Sequence, residues 1–515
     1  MKTIKIILLL IFISGFFTGC KKFLALDPLS NLSGNNFWRS KEDADAFTNG
    51  NYELLRKAVT REDLTLPAGN DEFPFFILGG DFRGAPIIRN TAWDRVYLDH
   101  IRQNDLRRFF AAQTSSDIYW RNIWNMERFS EWDRFYKVVS SANIAVENIS
   151  KMTDASISEA DKKRFIAENV FLRCFTYLLM VRQWGDVPYY TNAFQSDALA
   201  RTPALEVLQN CVKDMDAVRN DLPWTYDNPV FVAVRAMKGS ALDLLMHLNM
   251  WSAFFDKDNP QKYYEAAAKY GDELFTGNAG AYSLLPLTRT SEIFKGRSRE
   301  GLFEIPQNKN YNESFGWSTY YDHVHKPYDN LASTVYPYIW YTKAYMEKLY
   351  PPSIADARKT YWYNEPTMYN ENSSFYVLKF LISRSETDQN TKLFDASQTV
   401  FRYSEALLMY AEALAEIGND EKAKEVLNVV RARAGASDIT TGGEALKTDI
   451  FWERQRELMG EGHYWYDMVR TRRILTNEFG LKPSVEDFNS GAWTWPISRN
   501  AKINNPKMTL NTFWE

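Results

Sequence analysis

Three glutamates, Glu453, Glu457 and Glu461, recur at i, i+4 and i+8, so on a helix they share one face, and Asp467 follows closely in the chain. Two carboxylates about 5–10 Å apart are what glycoside hydrolysis requires, one as acid and the other as nucleophile or base. Arg454, Arg456 and Arg470 are interleaved with these acids, however, and mixed charge of this kind ordinarily forms ion pairs that tie helices together. Structural pairing is the expected use, with hydrolysis the rival. No G-x-S-x-G, H-E-x-x-H or G-x-x-x-x-G-K-[ST] run occurs in the chain. His323-x-His325 lacks a third metal ligand, and no D-x-[DN]-x-[DN]-G loop offers a calcium site. The chain is therefore read as a binding protein rather than an enzyme, with no catalytic residue, cofactor or metal expected.

The other available chemistry is recognition by aromatic rings. Aromatic residues make up 15% of the chain, with 16 Trp and 29 Tyr, more rings than a helical core needs. From Phe315 to Tyr345 ten of 31 residues are aromatic. A sugar ring presents one apolar C–H face and a rim of hydroxyls, so its site wants flat rings flanked by Asp, Asn and Arg. Gly316–His323 supplies Trp317, Tyr320 and Tyr321. Gly69–Tyr97 reads as a long loop bearing Asp81, Arg83, Asn90, Trp93 and Tyr97. These eight side chains are the candidate ligand contacts, led by Trp93 and Trp317, because Trp is enriched at binding hot spots.

The elements that must position them are mostly helices. Leu407, Leu408, Ala411, Leu414 and Ala415 recur at helical spacing, Gly418-Asn419-Asp420 interrupts, and Ala423, Val426, Leu427 and Val430 resume, which predicts a helical hairpin. A second pair is predicted across the Gly460/Gly462 break. Ser40 with Asp43 at N3 starts an earlier helix, and others are expected over the segments beginning near Glu131 and Asp161. Gly185 through Pro188 ends one of these, Pro203 is placed at N1 of the next, and residues 232–255 and 260–276 make a further pair. Stacked pairs imply a repeat-like scaffold. An irregular part, about 277–399, interrupts it, with a sustained helical face only near Thr342 to Leu349.

Composition bounds the rest. With 515 residues, 45% apolar, 24% charged and net charge −4, the chain can bury a large core and shows no nucleic-acid footprint. Lys2 and Lys5 precede a short apolar run that ends Phe17-Thr18-Gly19-Cys20, which resembles a bacterial lipobox with Cys20 as the lipidated residue. Residues 1–19 are then the signal peptide and 20–36 a tether, and acyl chains alone hold the protein on a membrane. Cys174 sits in an apolar helix and reads as a buried free thiol, a bridge to Cys211 being the alternative.

Taken in order, WDRFYKVVSSANIAVENI, AENVFLRCFTYLLMVRQWGDVPYYT, RTPALEVLQNCVKDMDAVRNDLP, FRYSEALLMYAEALAEIGN, ERQRELMGEGHYWYDMVR and WPISRNAKINNPKMTLN resemble the SusD/RagB family of outer-membrane nutrient-binding lipoproteins. The resemblance implies one mainly α SusD-like domain over 37–515. Tetratricopeptide-like helix pairs would form a right-handed scaffold mainly from 37–276 and 400–475, with the variable part at 277–399. It also implies a surface protein that delivers oligo- or polysaccharide to a SusC-like TonB-dependent transporter, with the two aromatic regions facing ligand. Lys21-Lys22 departs from the acidic residues that follow the lipid cysteine in many surface-exposed members. Peptide capture on the same scaffold, a lipid-anchored glycoside hydrolase and a plain helical-repeat assembly protein are the competing readings.

Overall fold

The computed structural model describes residues 37–60, 74–111, 126–153, 155–306, 337–372, 374–375, 377–380, 397–503 and 505–515. The leader, Cys20 and its tether lie outside these residues, as do Trp317, Tyr320, Tyr321, His323 and His325.

The principal helices are α1 (Lys41–Val59), α2 (Asp133–Ser150), α3 (Glu159–Trp184), α4 (Ala204–Val218), α5 (Lys238–Phe255), α6 (Gln261–Gly277), α7 (Tyr403–Glu416), α8 (Asp420–Arg433), α9 (Gly443–Leu458) and α10 (Tyr464–Arg470). From α1 to α8 each helix packs on the next, and α9 closes on α7. The result is the mainly α stack of helix pairs that the periodicity predicts. Local chemistry sets the ends. Ser40 and Asp43 form a reciprocal capping box on α1, with the Asp43 N–H donating to Ser40 Oγ at 3.3 Å and the Ser40 N–H to Asp43 Oδ2 at 2.9 Å. Gly418, at φ +77°, supplies the left-handed turn between α7 and α8. Pro203 corrects the expectation for α4: it is the N-cap rather than N1, with no side-chain acceptor of its own, and Asp186 Oδ1 satisfies one of the free N–H groups of the first turn, that of Ala204, at 2.8 Å.

Two helices are buried nearly all round, α3 from Phe165 to Trp184 and α5 from Gly239 to Phe254, as expected of helices at the centre of a large core. Cys174 on α3 and Cys211 on α4 are free and buried. Among the described residues no helix is long and apolar enough to cross a membrane.

The irregular part is an insert between neighbouring helices. Helix α6 packs directly on α7 although the whole insert separates them in sequence, and Gly271 makes this possible, since a Cβ there would lie 2.4 Å from the Tyr410 ring. Among the described residues four short strands tie the insert down: β1 (Ile87–Arg89), β2 (Gly301–Ile305), β3 (Ile339–Tyr341) and β4 (Gln398–Arg402). Antiparallel β2–β4 clamps its two ends together at the scaffold, while antiparallel β1–β3 joins it to the N-terminal segment. Thr342 caps the helix Lys343–Leu349 that follows β3.

Candidate functional site

The carboxylate row is structural. Glu453, Glu457 and Glu461 are at most 2% exposed. Glu453 accepts from Arg358 at 2.6 Å, Arg431 at 2.5 Å and Arg456 at 2.9 Å. Glu457 pairs with Arg358 at 2.9 Å, Arg402 at 2.6 Å and also Arg433, and Glu461 takes Lys379 and Arg402, both at 2.6 Å. Burial alone would raise the Glu453 pKa, but Arg358, Arg456 and Arg431 outweigh it and hold it down to about 2. Glu457, Glu461 and Asp467 are held low in the same way. A general acid needs the opposite shift. The partners correct one detail of the sequence reading. Most come from the insert and from α8 rather than from the acids' own block, while Arg454 and Arg470 turn to Glu405, Glu412 and Asp467.

Asp81, Arg83 and Tyr97 are also corrected: they are buried supports, not ligand contacts, with 1%, 0% and 3% exposure. Phe75, Phe76, Ile77, Leu78 and Phe82 draw residues 74–84 into the core, where Ile77–Phe82 forms a turn of π-helix rather than an exposed loop. Asp81 Oδ2 accepts the Gly462 N–H at 2.6 Å, and burial pushes its pKa up to about 8 against that hydrogen bond. The Arg83 guanidinium lies 4.2 Å from the Trp465 ring centroid and 4.8 Å from that of Trp495, donating to Asn104 Oδ1 and to the carbonyls of Ala492 and Thr494. Tyr97 opens a short helix, Tyr97–Arg102, with its ring inside.

The remaining described candidates, Asn90 and Trp93, meet the aromatic stretch of the insert. Strand register places Ile88 opposite Trp340, and the Asn90 N–H extends the ladder to the Tyr338 carbonyl at 2.7 Å. Asn90 is 8% exposed, and its side chain donates to the Pro337 carbonyl at 3.0 Å and accepts from the Ala92 N–H. Its role is therefore to hold the ribbon rather than to face solvent. Trp93 is half-buried and stands edge-on to Tyr338, ring centroids 5.6 Å apart at 72°. Arg95 lies 4.4 Å from the Tyr338 centroid and donates to its hydroxyl at 3.2 Å. Arg89 donates to the Trp93 carbonyl at 2.9 Å and pairs with Asp99 at 2.6 Å, which fixes the turn. Along β3 burial alternates: Pro337, Ile339 and Tyr341 point inward, while Tyr338 and Trp340 are half-exposed on the other face. Nε1 of Trp93 and Nε1 of Trp340 have no hydrogen-bond partner among the described residues. Tyr338, Trp340 and Arg95 were not among the candidates from sequence. The i, i+2 spacing of Tyr336, Tyr338 and Trp340 was the strand signal that would have found them.

One more cluster can be judged on geometry. Asp243, His247 and Glu405 are buried, with one potential ligand atom each within 4.8 Å of the others. Arg182 Nη2 donates to His247 Nδ1 at 2.6 Å, which leaves the proton on Nε2, facing Glu405 Oε1 at 3.4 Å. Arg454 donates to that same oxygen at 2.9 Å. An Nε2 that carries a proton cannot ligate, and two guanidiniums repel a cation, so this is a hydrogen-bonded joint between α3, α5, α7 and α9.

Comparison with known proteins adds to this geometry. The sequence pattern of the SusD family matches residues 307–514, and one described as starch-binding associating with outer membrane matches residues 88–248. A crystal structure of a SusD homolog from Bacteroides thetaiotaomicron VPI-5482 is 39% identical and superposes with a TM-score of 0.81, covering 92% of this chain and 99% of that one. SusD-like protein P38 of Formosa agariphila is 24% identical over 564 residues, covering 99% of both chains. A laminarin-binding SusD-like protein shares the fold at 18% identity, TM-score 0.66, over 92% of this chain and 99% of that one.

Proposed function

This chain belongs to the SusD family, and on that premise we propose that it is a cell-surface glycan-binding lipoprotein that captures oligo- or polysaccharide and passes it to a partner TonB-dependent outer-membrane transporter. The observation that carries the reading is the β1–β3 ribbon, whose half-exposed face sets Trp93 against Tyr338 with Trp340 beside them. Indole and phenol faces take the apolar side of a pyranose. Trp317, Tyr320 and Tyr321 precede Tyr338 by a short stretch of chain and are proposed to complete the platform. The reading is supported by the outer-membrane, starch-binding description of the pattern over 88–248, which includes Trp93, and by the laminarin binding of a protein with the same fold. The anchor is proposed to be Cys20, freed by removal of residues 1–19 and followed by the tether 20–36, with residues 37–515 as a single domain.

The test is a glycan array run beside a peptide panel. Binding to one class of oligosaccharide, with no reducing ends released on incubation, is expected. Peptide hits alone, or hydrolysis of the bound glycan, would overturn the reading.

A further inference from the structure

A cavity of about 350 Å³ opens between the C-terminal ends of α3 and α5 and residues 472–512, and no residue of the β1–β3 ribbon lines it. Its volume falls in the range of small-ligand sites. Aromatic rings form part of the wall: Trp493 and Phe254, 9% and 7% exposed, stand edge to face with centroids 5.6 Å apart. The charge on the wall is one-sided. Arg201, Arg472 and Lys257 line the cavity against a single carboxylate, Asp186, whose Oδ1 already accepts the Ala204 N–H at 2.8 Å.

The two guanidiniums are held in place without any acid. Arg472 adopts φ +57°, a left-handed conformation that is unfavourable for a residue with a Cβ and persists where its surroundings impose it. Its guanidinium lies 4.8 Å from the Phe254 centroid and 5.5 Å from that of Phe488, and Nη2 donates to the Phe254 carbonyl at 3.2 Å. Arg201 donates to the carbonyls of Trp184, Asp186 and Leu510 and to Asn511 Oδ1. Neither reaches a carboxylate among the described residues, unlike Arg358, Arg402, Arg454 and Arg470. Burial lowers the pKa of both, so each is a partly desolvated cation that an incoming anion would stabilise. Asn489 lines the rim and is exposed.

We infer that this cavity is a second carbohydrate site, selective for a uronic-acid residue, whose carboxylate meets Arg472 and Lys257 while its hydroxyls reach Asn489 and its apolar edge meets the small uncovered part of the Trp493 and Phe254 wall. A neutral hexose would use the ring and leave the cations unmet. The site is independent of the Trp93 ribbon, and its test can fail while the ribbon reading stands.

Full-length protein is titrated calorimetrically with the methyl glycoside of glucuronic acid and with the uncharged methyl ester of the same compound. The acid should bind about tenfold or more tightly than the ester. That preference should vanish in Arg472→Gln and persist in Trp93→Ala. Because Arg472 packs on two rings, Lys257→Gln, an exposed position, serves as the second variant and should reduce the preference by a few-fold. Equal binding of acid and ester, or no binding of either, overturns the inference. So does a preference lost in Trp93→Ala but kept in both Arg472→Gln and Lys257→Gln.

Discussion

Asp81 and Arg83 are two residues apart, both fully buried, and solve the same desolvation problem in different ways. Arg83 stays charged between two indoles because three oxygens accept hydrogen bonds from it, even as burial lowers its pKa to about 9. Asp81 instead keeps its proton, its pKa raised to about 8 by burial. The sign of the consequence follows from proton binding. An unfolded Asp81 ionises near pH 4, so between about pH 4 and pH 8 the folded state holds the extra proton and stability falls as pH rises, by at most about 1.4 kcal/mol per pH unit from this group. Asp81→Asn keeps an acceptor for the Gly462 N–H and removes the ionisation. In thermal melts across about pH 5–8 the wild-type Tm should therefore decline more than that of the variant; parallel curves would contradict the buried acid. Neither residue was legible as a core group in the sequence. A polar pair beside Gly79-Gly80 resembles a loop, and only the long-range contacts with Gly462, Trp465 and Trp495 draw it inside.

Helices were far more legible than the connections between them. The α7–α8 hairpin could be read from apolar spacing and from Gly418, and α1 from its capping box, because both signals are local. The contact of α6 with α7 is non-local, and only the closeness of the Tyr410 ring shows why residue 271 is glycine. Gly271→Ala must displace that ring, an overpacking change of about 1–3 kcal/mol, and should lower Tm without altering ligand affinity. The carboxylate row was legible as ion pairing, but apart from Arg456 its partners were not, since Arg358 and Lys379 reach it from the insert and Arg402 from the end of β4. Glu457→Gln leaves Arg358, Arg402 and Arg433 short of a charge partner in the core and should cost about 3–5 kcal/mol, seen as a shift in denaturant midpoint. A midpoint like that of the wild type would show that the row is dispensable. The depressed pKa values give the row an acid limit: its contribution is complete above about pH 4.5 and is lost as pH falls toward 2.

At the scale of the molecule, a rigid helical stack carries an insert that is fastened twice, by β2–β4 to the scaffold and by β1–β3 to the N-terminal segment. The second fastening joins two aromatic stretches that lie far apart in sequence and turns them into one surface. Each stretch could be picked out by composition, but their pairing could not, because register between distant strands leaves no local mark. The membership of the SusD family was legible from the order of its blocks. Trp93 is the half-exposed indole set against Tyr338 beside this ribbon, and Trp93→Ala is the direct measurement. With the best glycan from the array, calorimetry should show at least about tenfold weaker binding than the wild type, with Tm unchanged, as for loss of one aromatic anchor. Wild-type affinity in a folded Trp93→Ala protein would place glycan capture elsewhere and contradict the account.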